Sequence, residues 1–433
     1  MKNLKFFSLI LMIFFVVSCS KDLIDAPDQS ADDAALLKSS SPKIKIAVLS
    51  DVHYMHPSLL PADLEDSPSL LAALNKDRKI PQLSDLIFRK VISELISEKP
   101  DIVLVCGDLA REGEFINHQT VSGLLQKLEN NGMKVYVVPG NNDLLNPDAY
   151  SFTSEPPVHV PNITPDQFTS LFANFGYNEA LYRDVNSLSY ICQPCDGLWI
   201  LGIDISKRTL QPNTLLWIQD KMAEANENGI RVIPFMHYGI IEHYTGQNKL
   251  EPLVRNAGEN VAAFMNAGIR LLFTGHYHAN DMVDFTSEGK TLTDIQTGSL
   301  VTPPYPYRIM TMDDNFINID TRRVTSVDGE CPDGADFLNY SATCIDSYLV
   351  GFFTYYASAL QKVYGIPADK YPAAVPYFAK AFKAYIAGDE KLDPSERKKI
   401  DLLGQNVPTA LPFLNSLWID LPPKDNKVHI KLK

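Results

Sequence analysis

Past residue 18 the chain has no apolar run long enough to cross a membrane, no internal repeat and no basic cluster that stands out. The first absence leaves the N-terminus as the only stretch with a membrane signal. The second removes solenoids and arrays from consideration. The third, with 39 basic residues against 52 acidic ones and a formal charge of −13, disfavours broad, sequence-independent nucleic-acid binding. A local positive site remains open if metal ions supply the charge. Cysteine is also scarce, at six residues, and Cys192-Gln193-Pro194-Cys195 offers a zinc ion only two thiolates. What the chain does have is 433 residues, 45% of them apolar and 21% charged, enough for a large core and a second, smaller domain.

The N-terminus reads MKNLKFFSLILMIFFVVSC: two lysines, an apolar stretch from Phe6 to Val17, and a small residue before Cys19. This is a secretory signal, too short for a comfortable span. Val16-Val17-Ser18-Cys19 resembles the lipobox of bacterial lipoproteins, which implies a signal peptide over 1–18, a lipidated Cys19 and a flexible tether over 19–42. The expected location is therefore the bacterial cell envelope, periplasmic or at the cell surface, with the membrane engaged through Cys19. In that oxidising setting Cys192 with Cys195 and Cys331 with Cys344 are expected as local disulfides, and Cys106, inside DIVLVCGD, as a buried thiol.

From Lys43 short apolar runs alternate with helical segments. KIKIAVLSD reads as a strand and SDLIFRKVISELISE as a helix that starts at Ser84 and stops before Pro100. DIVLVCGD is a strand, INHQTVSGLLQKLENNG a helix closed by Gly132, and KVYVVPGNND a strand. This β-α-β-α-β order implies parallel strands whose C-terminal ends carry the chemistry. The alternation continues through RVIPFMH and RLLFTGHYH to about residue 325. From 326 to 433 the segments become aromatic-rich helices, with VHIKLK as an added edge strand. Two irregular stretches, Tyr54 to Gln82 and Gly239 to Gly258, leave strand ends that carry histidine and have the length of rims or lids.

Five strand ends deliver Asp51-Val52-His53, Gly107-Asp108, Gly140-Asn141-Asn142-Asp143, His237 and Gly275-His276-Tyr277-His278. Singly these are turn formers and ordinary histidines; together they place metal-ligand chemistry at one edge of a sheet. Two divalent ions about 3.5–4 Å apart need a shared carboxylate and further negative charge. Asp108 suits the bridge and Asp51 the added charge, with imidazoles and the neutral oxygen of Asn141 filling other positions of zinc, iron or manganese. His276 and His278 alternate onto one side of an extended segment, so each can serve a different ion.

The ordered set D-x-H, GD, GN-x-D, H and GHxH resembles the calcineurin-like metallophosphoesterase family over roughly Lys43 to Arg323. GDLAREGEFINH, LLFTGHYHANDM and TGSLVTPPYPYR resemble a lipoprotein branch of it. The resemblance implies an α/β fold, a four-layer α/β/β/α sandwich of two mixed sheets flanked by helices over 43–325, followed by a C-terminal helical appendage. It implies two divalent metal ions, one held by Asp51, His53, Asp108 and His278, the other by Asp108, Asn141, His237 and His276. A hydroxide bridging them would attack a phosphoester substrate.

The resemblance implies a third motif that usually reads GNHD, whose histidine, oriented by the following aspartate, protonates the leaving oxygen or steadies the phosphoryl group. Here that position is Asn142, followed by Asp143. An amide cannot usefully transfer a proton, and a positioned general acid is typically worth about 10²–10⁴ in rate. Substrates with good leaving groups are one consequence; replacement of the acid by His56, Tyr54, His118 or His243 is another; vestigial hydrolysis is the third. For substrate phosphate the expected contacts are Arg111, His56 and Arg308, with Tyr305 and Tyr307 either lining the pocket or packing. GDLAREGE lacks the tyrosine of purple acid phosphatases, and the GDxVDRG and GNHE forms of protein Ser/Thr phosphatases are missing. A phosphodiesterase or broad phosphomonoesterase is the expected activity. The alternative is a non-catalytic surface binding lipoprotein that keeps the fold and the metals.

Overall fold

The computed structural model describes residues 43–431; the signal segment, Cys19 and the tether expected within residues 1–42 lie outside them. Strand β1 (Ile44–Leu49), β2 (Ile102–Val105) and β3 (Lys134–Val137) pair in parallel. The crossover helices are Ser84–Glu98 and Phe115–Asn130. The first of these ends at Lys99, in left-handed backbone just before Pro100, which cannot continue a helix. The strands Pro306–Met312, Phe316–Arg323 and Lys427–Lys431 add antiparallel beyond β1, completing a six-stranded sheet with VHIKLK at its edge.

The second sheet has seven strands. Leu198–Ile203, Arg231–Met236, Leu271–Thr274 and Lys290–Gln296 are parallel at its centre, and Met282–Ser287 closes one side antiparallel. Residue alternation explains why two sheets stack. Leu198 and Ile200 point into the core shared with Val48, Val103 and Tyr136 of the first sheet. Trp199, Leu201 and Ile203 point the other way, against Ile218 and Met222 of the helix Pro212–Glu227 and Phe264 of Ala257–Ala267. Both faces are thus buried, and the architecture is two mixed sheets flanked by helices.

After the sheets come the helices Phe337–Tyr355, Ala357–Tyr364, Tyr371–Ala387, Pro394–Asn406 and Leu411–Ser416. Phe353, Phe378, Phe382 and Phe413 form their own aromatic core. Each such ring, removed from water, contributes about 1.5–3 kcal/mol to holding the helices together. No helix among the described residues is long and apolar enough to cross a membrane.

The two expected disulfides are not formed: Cys106, Cys192, Cys195, Cys331 and Cys344 are all free thiols. A register shift separates Cys192 from Cys195 along their strand; the Cys192 thiol turns inward and donates to the Gly176 carbonyl, while Cys195 faces solvent. Cys344 lies against Tyr340 and Tyr348 on its helix. Cys106 is buried.

Candidate metal centre

The parallel strands bring the five motifs to one end of the two sheets. Asp51, His53, Asp108, His276 and His278 all have positive φ, at 51°, 39°, 49°, 71° and 56°. Left-handed backbone at a non-glycine residue carries a conformational cost and persists where surrounding structure over-determines it, commonly at functional sites. Two glycines make the close approach possible. A Cβ on Gly140 would stand 2.1 Å from Asp108 Oδ1, and one on Gly275 would stand 1.8 Å from Ser50 Oγ. Only hydrogen fits at either place.

Two groups of ligand atoms result, Asp51 with His53 and His278, and Asp108 with His237 and His276, each group lying within 4.8 Å. His53 Nε2 and His278 Nε2 face each other at 3.0 Å, with Asp51 Oδ1 at 3.7 and 3.4 Å from them. His53 Nδ1 lies 3.3 Å from the Arg111 carbonyl and His278 Nδ1 3.1 Å from Thr302 Oγ1. If those outer nitrogens donate, the inner ones present lone pairs to each other and to a carboxylate oxygen that has no hydrogen-bond partner. His237 repeats the pattern: Nδ1 donates to the Cys106 carbonyl at 2.8 Å, and Nε2 meets Asn141 Oδ1 at 3.1 Å and Asp108 Oδ2 at 3.4 Å. Converging acceptors repel unless a cation sits among them, so these residues fit divalent metal ions.

Asp108 is the carboxylate that reaches both groups, its Oδ2 being 3.5 Å from His53 Nε2 and 3.4 Å from His237 Nε2. The matching family model, calcineurin-like phosphoesterase, spans residues 44–280 and so covers all of these motifs. The chain belongs to the calcineurin-like phosphoesterases. It is therefore a metal-dependent hydrolase of phosphoester bonds that uses two divalent ions. Similar solved structures include a dimetal phosphatase from Danio rerio, 14% identical, covering 65% of this chain and 97% of that one at a TM-score of 0.46. A purple acid phosphatase from yellow lupin seeds is 10% identical, covering 69% and 53% at a TM-score of 0.42. Neither likeness is close enough to bear on substrate. No curated protein matches the phosphoesterase.

The turn of the third motif is clamped by Asp143, whose Oδ1 accepts from the Leu109 and Ala110 amides at 2.8 and 3.0 Å and whose Oδ2 accepts from the Gly140 amide at 2.8 Å. Burial and the Asp108 charge push the Asp143 carboxyl up, against those three donors. Asn142 donates to Asp108 twice, from its backbone at 2.8 Å and from Nδ2 at 3.1 Å, and it lines the open cleft. That puts a side chain with no exchangeable acid proton beside the bridging carboxylate.

The expected substrate contacts need correction. Arg308 is fully buried and donates to the Asp425 and Gln296 carbonyls and to Thr321 Oγ1, a position in the sheet interior. Arg111 is also turned away, its guanidinium stacked 4.9 Å from the Phe152 ring and 3.7 Å from Glu114 Oε1. His56 caps its own short turn by accepting from the Ser58 amide. None of the three lines the cleft. The replacement acids fare no better: Tyr54 donates to Asp85, His118 packs between Phe168 and Phe172, and His243 is paired with Asp281. Tyr305 and Tyr307 pack, donating to Ser341 and Glu94.

A different set of residues forms the cleft, of about 280 Å³, in front of the metal ligands. Lys76, Asp77, Arg78 and Lys79 come from the irregular stretch after β1, and Tyr244, Leu250 and Glu251 from the stretch after His237. The opposite wall is apolar, built by Phe352, Phe353, Tyr356, Leu360, Phe382 and Phe413 of the C-terminal helices. Burial first and the Lys79 charge second hold the His53 imidazole down to about 3, and Lys79 lines the same cleft as His53. Three cations within Asn75-Lys76-Asp77-Arg78-Lys79, inside a loop that departs from a ligand-bearing strand, are the sequence signal that marks this contact.

Proposed function

We propose that the phosphoesterase is an exported, lipid-anchored phosphodiesterase of the lipoprotein branch, in which a hydroxide held between two divalent ions attacks phosphorus in line. Bound ions would lower the pKa of that water and offset charge developing on the phosphoryl oxygens. Asp51, His53, Asp108 and His278 would hold one ion and Asp108, Asn141, His237 and His276 the other, manganese, iron and zinc all suiting the donor set. The lipobox at Val16–Cys19 supports anchoring in the cell envelope.

The observation that carries the substrate reading is the two-sided cleft. Its floor is the metal centre and its far wall is aromatic, so a phosphate flanked by an apolar or aromatic organic group fits both. Its two more buried cations are already matched, Arg78 Nη2 lying 2.7 Å from Glu251 Oε1 and Lys79 Nζ 3.1 Å from Asp77 and 3.9 Å from Glu112, while Lys76 is exposed. Little free positive charge is left for a doubly charged monoester, which favours the singly charged diester. Asn142 agrees with this reading, because aryl leaving groups depart without a proton.

With manganese, bis-p-nitrophenyl phosphate should be hydrolysed in preference to p-nitrophenyl phosphate, and Lys79→Ala, which removes a cation already matched by Asp77 and Glu112, should not reverse that preference. A monoester preference in the wild type would sink the diester reading. For the anchor, Cys19→Ala should move the protein from the membrane to the soluble fraction. Persistent membrane association would assign attachment to another part of the chain.

A further inference from the structure

A second set of ligand-type side chains lies outside the metal centre. Asp281 follows the GHYH motif by three residues, Glu390 sits in the turn after the helix Tyr371–Ala387, and Asp425 precedes the edge strand Lys427–Lys431. The three side chains are buried, with one carboxylate oxygen of each within 4.8 Å of the others. Oxygens held by one calcium ion at about 2.4 Å cannot stand farther apart than about twice that distance. The spacing therefore meets the requirement for a shared ion.

Three of their oxygens lack partners. Both Glu390 oxygens and Asp425 Oδ2 are buried without a hydrogen bond, and so are Asn280 Oδ1, Gln296 Oε1 and the Tyr385 hydroxyl nearby. Asp425 Oδ1 accepts from the Met282 amide at 2.8 Å, and Asp281 Oδ2 takes the Nδ1 hydrogen of His243, so each of those carboxylates is oriented by one oxygen. Asp294 and Asp420 add negative charge; His243, Arg308 and, beside Asp420, Lys424 add positive charge, and Arg308 gives its hydrogen bonds to the Asp425 and Gln296 carbonyls and to Thr321. Burial and the neighbouring carboxylates push both Glu390 and Asp425 up.

We propose that Asp281, Glu390 and Asp425 bind a structural calcium ion that fastens the C-terminal helices to the loop following His278. Oxygen donors with no imidazole or thiolate in the set select a hard cation. Donors from three separate segments in an enclosed space favour calcium over magnesium, which demands octahedral geometry and retains waters. The consequence reaches the cleft: Phe382 lies eight residues before Glu390, on the helix that ends at this turn, and lines the aromatic wall.

The test is equilibrium dialysis of calcium against the full-length protein already saturated with manganese, with thermal unfolding as a second readout. One calcium per chain should bind and raise Tm, while Asp425→Asn and Glu390→Gln should each keep two manganese ions and bind calcium about 100-fold or more weakly, as expected from removing one charged ligand. Absence of bound calcium in the wild type, or variants that both bind calcium as tightly as the wild type, would overturn the proposal and leave the three carboxyls sharing protons. Two variants guard against one misfolding, and retained manganese separates this site from the dinuclear centre.

Discussion

Asp108→Asn should lower kcat/KM for bis-p-nitrophenyl phosphate by ~10³-fold or more and reduce bound manganese from two ions to one or none, with far-UV circular dichroism unchanged. The reason is positional. Asp108 Oδ2 lies 3.5 Å from His53 and 3.4 Å from His237, so it is placed to offset charge from both ions. An asparagine keeps the shape but turns an N–H or a neutral oxygen toward two imidazoles. The Asp143 clamp and the Gly140 approach would hold the backbone in place, which separates loss of chemistry from loss of fold. Activity within tenfold of the wild type would remove Asp108 from the bridging role. A wild type that binds two ions and turns over neither aryl ester would instead favour the non-catalytic binding lipoprotein.

The second large effect is a gain. Asn142→His should raise hydrolysis of alkyl phosphodiesters by ~10²-fold or more and change aryl esters little, because a positioned acid helps most where the leaving oxygen is basic. Asn142 already lines the cleft, its Nδ2 3.1 Å from Asp108, so an imidazole there would stand beside the bound phosphate. Asp143, on which an acid at this position would depend for orientation, is engaged with three backbone amides. If aryl and alkyl esters gained equally, the substitution would be acting on the metals or the cleft shape rather than as an acid. The slope of log kcat against leaving-group pKa is the decisive measurement.

Much of the catalytic half could be read in the chain itself. Ser84–Glu98 shows helical spacing between a serine and Pro100, and it forms the helix with those bounds. The parallel order of β1, β2 and β3 follows from the crossovers, and parallel strands place their C-terminal ends side by side. Seven metal-type side chains after successive strands were therefore bound to converge. The substrate contacts were not legible in the same way. Arg111 and Arg308 sit near or within motif text, yet Arg111 stacks on Phe152 and Arg308 serves carbonyls of distant segments. Whether an arginine meets substrate or protein depends on which neighbours burial supplies, and spacing along the chain does not encode that.

The sequence by itself determined the parallel β-α-β-α-β order and the set of metal-type residues at its strand ends, because strand periodicity and crossover length are local properties; the four-layer α/β/β/α frame followed from the family resemblance those residues carry. It also determined the missing acid, since a single letter at position 142 decides whether a proton can be carried. Only the tertiary structure decided what faces the substrate and what holds the wall behind it. Lys79 lies hundreds of residues before Phe352 and Phe413, and Asp281 more than a hundred before Glu390 and Asp425; they meet because the aromatic helices bury their faces against one another and against the loops of the catalytic sheets. Such meetings are set by the packing of whole elements, which no stretch of the chain carries on its own.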